Sequence, residues 1–179
     1  MPSYRPIADV WILARPKVHY YGAYPNGFLE RALALLGGIN AATLHVCGGQ
    51  AKQYPNTRLM TNGWTLDLDA STNPDFHADA RRQLPLRADG DDWDAILCDP
   101  PYTKDDAAKY APGADVFPSP NALLKNALNV VAIGGRVGML HYLLPQPPRE
   151  GVKFVACVGV IVSYNNRMRC FSEIGRAHV

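Results

Sequence analysis

The sequence predicts an α/β fold built on a mostly parallel sheet that closes with an antiparallel hairpin. Three observations lead there. Short apolar runs at Thr43–Cys47, Gly63–Asp69, Phe76–Ala78 and Asp94–Asp99 end in glycines or acids, as buried strands of a parallel sheet do. Segments with helical spacing lie before and after this group. The last apolar stretch, Lys153–Ser172, is interrupted by Asn165-Asn166, a hairpin signal.

Each element has its own justification. In Pro25–Leu36 the apolar residues Phe28, Leu29, Ala32, Leu33, Leu35 and Leu36 share a helical face, opened by proline and closed by Gly37-Gly38. The run from Thr43 to Cys47 ends in Gly48-Gly49, and the next ends in Asp67 with Asp69 just beyond. A brief strand near Phe76–Ala78 ends in Asp79, and Asp94–Cys98 runs into Asp99-Pro100-Pro101-Tyr102. Proline cannot continue a sheet ladder, so that strand stops in a rigid turn. A second helix is predicted over Asn121–Val131, stopped by Gly134-Gly135, and a fifth strand over Arg136–Leu143. The links between the second, third and fourth strands are too short for full helices and predict turns. Thr103–Pro120 is the one insertion large enough for a lid or substrate clamp.

With 179 residues, 47% of them apolar, the chain is long enough for one compact domain. A formal charge of +2 gives no argument by itself for a polyanionic partner. Cys47, Cys98, Cys157 and Cys170 form no CxxC pair and sit in or beside apolar runs, which predicts reduced thiols and a cytoplasmic location. The N-terminus lacks a signal-peptide pattern, and "FVACVGVIV" is too short to span a bilayer. His19, His77 and His141 show no metal spacing with the cysteines, so no metal is predicted. "EIGRAHV", Glu173–Val179, follows without turn logic and resembles a translated sequencing adapter; the domain is therefore read as residues 1–172, with 173–179 set apart as a scar.

Ligands of open parallel sheets bind at the carboxyl ends of the strands. Here that edge would carry two glycines, the acids Asp67, Asp79 and Asp99, and Tyr102. Glycine lets a ligand approach the backbone, and carboxylates accept from ribose hydroxyls or an adenine amine. The set suits a nucleoside cofactor.

On these residues the chain resembles the Rossmann-like class I S-adenosylmethionine-dependent methyltransferases, and within them the amino-methyltransferases with a D-P-P-Y motif, such as small phage and bacterial DNA adenine-N6 enzymes. The likeness runs from about Tyr20 to Ser172: "YPNGFLERAL" stands where a helix helps to cover the cofactor, "LHVCGG" stands for the glycine motif, and "LDLD", "ADA" and "DPPY" follow the next strands. The resemblance implies S-adenosylmethionine as cofactor, met by Tyr24, Pro25, Cys47, Gly48, Gly49, Asp67, Asp79 and Ala80. Asp67 would hold the ribose, with Asp69 as its substitute, and Asp79 would meet the adenine amine. It implies a catalytic group of Asp99, Pro100, Pro101 and Tyr102, in which Asp99 and the Pro100 carbonyl accept from the amine being methylated and Tyr102 stacks on the target base. The glycine motif departs from the family's acid-x-G-x-G spacing, with His45 where an acid is common.

The implied reaction is methyl transfer to an exocyclic base amine, adenine-N6 in DNA ahead of guanine-N2 in RNA. A protein glutamine substrate ranks lower, since asparagine normally opens that motif. A non-catalytic subunit that keeps the fold and binds nucleic acid or a partner stays open. Arg81-Arg82 and Arg167–Arg169 are the candidate phosphate contacts, and a specificity subunit or a second copy would be further partners. Tyr20, Tyr21 and Tyr24 would line the cofactor pocket or pack on the sheet.

Overall fold

The computed structural model describes residues 5–16, 22–38, 40–53, 63–110, 117–163 and 167–177. Asn165-Asn166, Tyr20, Tyr21 and His19 lie outside them. The elements in chain order are β1 (Ile7–Leu13), α1 (Phe28–Leu35), β2 (Thr43–Val46), β3 (Gly63–Asp67), β4 (Phe76–His77), β5 (Trp93–Cys98), α2 (Lys104–Tyr110), α3 (Pro120–Val130), β6 (Val131–His141), β7 (Val152–Val162) and β8 (Arg169–Arg176). They form one eight-stranded sheet in the order β1-β7-β8-β6-β5-β2-β3-β4. Every neighbouring pair is parallel except those of β8, which runs antiparallel to both β6 and β7. The chain walks outward from β2 to β4 and then returns to β5 on the other side of β2. The topological switch point thus falls between β2 and β5.

The sheet is packed on both faces. Phe28, Leu29, Ala32 and Leu33, one face of α1, bury against Leu97, Leu140, Val158, Val160 and Phe171. Leu123, Leu124, Ala127 and Val130 of α3 cover Val46, Ile96, Val137, Met139 and Ile174 from the other side. Ser119 caps α3 by accepting from the Ala122 amide, with Pro120 at the first helical position. The Asn126 side chain of α3 donates to the Ala80 and Arg82 carbonyls and so ties the segment after β4 to the core.

Several expectations change. The N-terminal segment IADVWIL, given no element from sequence, forms β1 and pairs in parallel with β7 along the sheet edge. Gly134-Gly135 do not stop the second helix; α3 passes directly into β6, and the glycines sit in a bulge where the β5 register jumps between Trp93 and Ala95. The Thr103–Pro120 insertion carries the short helix α2. The link from β3 to β4 is a 3-10 turn, Ala70–Thr72. β8 runs without a break past Ser172 to Arg176, pairing Glu173 with Gly138 and Ala156. All four cysteines carry free thiols. Among the described residues no helix is long and apolar enough to cross a membrane.

Candidate active site

The carboxyl ends of β2, β3, β4 and β5 open on a cavity of about 440 Å³, within the range of small-molecule sites. Backbone bonds hold its rim: the Asp99 amide donates to the Val46 carbonyl, Gly48 to Leu66, and Ala78 to Asp67. Of the residues singled out from sequence, Tyr24, Cys47, Gly48, Gly49, Asp67, Asp79, Ala80, Asp99 and Pro101 line the cavity. Pro25, Pro100 and Tyr102 do not. Pro25 is buried beside Tyr24, where its carbonyl accepts the Phe28 amide that opens α1, and Pro100 is buried at the end of β5.

The glycine loop is shaped by its backbone and braced by an acid. Cys47 and Gly49 are left-handed, with φ of 56° and 49°. For a cysteine that conformation costs about 1–2 kcal/mol. Asp67 accepts from the Gly49 amide at 2.8 Å and from the Asp69 amide at 2.9 Å, so one carboxylate fixes both sides of the loop. Asp69 lines the cavity too, but its side chain also caps the 3-10 turn through the Ser71 amide. Asp79 reaches the cavity with both oxygens already engaged by Arg81, which holds its carboxyl below the usual range.

Asp99 is the most perturbed acid here. Burial pushes its pKa up to about 6, against hydrogen bonds from Tyr102 and Tyr24 and the positive charge of Arg169. The Tyr102 hydroxyl donates to Oδ1 at 2.7 Å. On the other side, the Tyr24 hydroxyl lies 2.6 Å from His45 Nε2. If Tyr24 donates to Asp99 it must accept from His45, which assigns the imidazole its Nε2–H tautomer. The buried Nδ1, which has no partner, then holds only a lone pair. Burial lowers the His45 pKa to about 4, so the ring is neutral in this chain of hydrogen bonds.

Tyr102 is not the open stacking platform expected from sequence. The Arg169 guanidinium lies over its ring at 5.3 Å from the centroid, and Tyr142 and His141 pack against it at 4.7 and 5.4 Å. Its hydroxyl is turned to Asp99. Arg169 gets there because β8 is reversed: its first residue lies at the edge where the parallel strands finish.

Sequence reasoning missed Gly22, Gln50, Leu66, Leu68, Thr72, Lys109, Tyr110 and Pro118 in the lining. Lys109 and Tyr110 come from α2, which did have a signal. Thr103 and Asp106 form a reciprocal cap, the Asp106 amide donating to the threonine hydroxyl and that hydroxyl to the aspartate carboxylate.

The lining carries Asp67, Asp69, Asp79 and Asp99 against a single lysine, Lys109, with Leu66, Leu68, Ala80 and Pro118 supplying apolar surface. Such a cavity favours a ligand with positive charge and a flat apolar part.

Among solved structures, the chain superposes on TrmN from Thermus thermophilus with a TM-score of 0.57 at 18% identity, over 87% of this chain and 50% of that one. It superposes on the N-methyltransferase NodS from Bradyrhizobium japonicum with a TM-score of 0.53 at 12% identity, over 84% of this chain and 96% of that one. NodS is also known in complex with S-adenosyl-L-homocysteine. An rRNA methylase from Streptococcus thermophilus matches with a TM-score of 0.50 at 8% identity, over 87% of this chain and all of that one. The chain thus spans half the length of TrmN and nearly the whole of NodS. No family model and no curated protein matches it. The likeness establishes the fold, an α/β methyltransferase fold with one reversed strand near the sheet edge.

Proposed function

We propose that this methyltransferase-fold chain is an S-adenosylmethionine-dependent N-methyltransferase whose substrate is an exocyclic base amine, adenine-N6 in DNA first. The observation that carries this reading is the anionic cavity at the switch point with the Asp99 carboxylate on its wall. The residues fit the cofactor. Its sulfonium and ammonium are cations that Asp67, Asp69 and Asp99 would attract, and the apolar lining suits an adenine ring.

Bound there, S-adenosylmethionine supplies an electrophilic methyl on a sulfonium that leaves as a neutral thioether. The chain's own residues do the rest. Asp67 braces the Gly49 loop that the cofactor would pass. Asp99, ionised above about pH 6, accepts a hydrogen bond from the incoming amine. An exocyclic amine is a poor nucleophile, because its lone pair is delocalised into the base. A carboxylate on its hydrogen draws it out of conjugation and stabilises the positive charge growing on nitrogen. The buried hydroxyls of Tyr24 and Tyr102 fix that carboxylate beforehand, so little reorganisation is left for the reaction. The rate should therefore rise as pH passes upward through about 6.

The test is calorimetric titration with S-adenosylmethionine, followed by transfer of labelled methyl to double-stranded DNA, RNA and free nucleosides. Cofactor binding with label entering DNA as N6-methyladenine, abolished in Asp99→Ala, supports the reading. Label in RNA alone moves the substrate to the RNA alternative. No cofactor binding by the folded protein overturns the enzyme reading in favour of a non-catalytic subunit.

A further inference from the structure

The wall around Asp99 contains more than the D-P-P-Y turn and the cofactor loop explain. Among the described residues the cation that acts on Asp99 is Arg169, and its surroundings are unusual for a surface arginine. The guanidinium lies over the Tyr102 ring at 5.3 Å, hydrogen-bonds Tyr142, and carries an electrostatic interaction with Asp99. Among the described residues no carboxylate lies within ion-pairing distance of it. Tyr102 is gripped between this guanidinium, the tilted Tyr142 ring and the His141 edge, with its hydroxyl on Asp99.

We infer that Arg169 is a positioning residue of the transfer site, acting through the Tyr102–Asp99 pair rather than on a nucleic-acid phosphate. The inference rests on Asp99 being the acceptor of the amine, as proposed above. Two physical effects follow from the geometry. A cation on a phenol face withdraws electron density and makes the hydroxyl a stronger donor, which tightens the bond to Oδ1. The same charge joins the Tyr102 and Tyr24 hydrogen bonds in favouring the ionised carboxylate against burial. The other groups facing Asp99 are Tyr24 before α1, His45 and Cys47 at β2, Cys98 at β5, and His141 and Tyr142 at β6. His45 is neutral, and burial raises the thiols of Cys47 and Cys98 beyond ionisation at neutral pH. Asp67 and Asp79 face the same cavity with negative charge. Arg169 is thus the cation that offsets burial at this carboxylate.

The experiment compares wild type with Arg169→Met, which keeps the stem over Tyr102 and removes the charge, and Arg169→Lys, which keeps the charge and loses the plane. Arg169→Gln replaces the methionine variant if that one does not fold. The Asp99 carboxyl is titrated by NMR on protein labelled at aspartate, with Asp99→Asn assigning the signal. In parallel, kcat and KM for the polynucleotide are measured from pH 5 to 9. The expected result is an Asp99 midpoint higher in Arg169→Met than in wild type, an acid limb of kcat that moves with it, a tenfold or greater loss of kcat near neutral pH, and KM within about twofold. Arg169→Lys should restore the midpoint while recovering kcat only in part. An unchanged Asp99 titration overturns the inference, and so does a tenfold rise in KM with kcat and its pH profile intact, which would make Arg169 a phosphate contact. If wild type transfers methyl to nothing, the functional reading fails, yet the titration still decides the role of Arg169.

Discussion

Replacing Asp99 by asparagine should make the protein more stable at pH 8 while removing the negative charge of its proposed acceptor. Burial lifts the Asp99 pKa from 3.8 to about 6, so the folded protein opposes its ionisation by about two pH units. At ~1.36 kcal/mol per unit the ionised carboxylate costs up to ~3 kcal/mol of stability. The sign follows from linkage. Between the unfolded and folded values the native state keeps a proton that the unfolded chain has lost, so wild type loses stability as pH rises through that window. Above pH 6 the full cost remains, and below pH 4 it is gone. Asparagine stays neutral throughout, with nearly the same shape. For a chain of this size each kcal/mol moves Tm by ~2–4 °C, so the variant should melt up to ~6–12 °C above wild type at pH 8. The two should converge near pH 3.5. Scanning calorimetry of both proteins across that range is the assay. A variant less stable at pH 8, or a difference that does not change with pH, would refute the claim that the site holds Asp99 against its own hydration.

Three further outcomes are expected. Asp67→Ala strips the acceptor from the Gly49 and Asp69 amides, a cost of ~1–3 kcal/mol for each group left unpaired, and should weaken S-adenosylmethionine binding at least tenfold by calorimetry; unchanged affinity would pass the role to Asp69. Glu173→Val removes a fully buried carboxylate whose Oε2 has no partner and whose pKa burial raises despite Arg136. It should stabilise the protein by ~1–3 kcal/mol, most at alkaline pH where the glutamate is charged, and so raise Tm; an equal Tm at pH 8 would show that Arg136 compensates the charge. Gly135→Ala would set a Cβ 2.7 Å from the Asp94 carbonyl oxygen and 2.9 Å from that of Ala132, both backbone atoms, and should cost ~1–3 kcal/mol of stability, read as a lower urea midpoint; an unmoved midpoint would mean the bulge can open freely.

The parts of the fold legible in the sequence were those with one dominant cause. β5 is mostly apolar and β2 is buried throughout because both faces are covered, and α1 and α3 show an apolar stripe because one face is. β1 was not legible. It is an edge strand in which only Trp11 and Leu13 are buried, and its partner lies at the far end of the chain. The passage from α3 into β6 hid behind its glycines, which read as a helix stop because a bulge and a cap ask for the same backbone freedom. In the site, the strand-end residues could be placed in advance, since a parallel sheet brings its carboxyl ends to one edge. The setting of Tyr102 could not. It depends on Arg169, 67 positions later, reaching that edge through a strand reversal that leaves no local mark beyond a turn signal.

The pairing of β1 with β7 sets the order in which this protein can be completed. Ile7 leaves the ribosome about 150 residues ahead of its partner Ala156. At ordinary elongation rates the wait is on the order of ten seconds. For that time the segment has no ladder to join, and it carries Val10 and Ile12, which stay exposed even in the finished sheet. The first strand therefore waits unpaired until β7 is made, and nascent chains stalled before β7 would display it to chaperones or to one another.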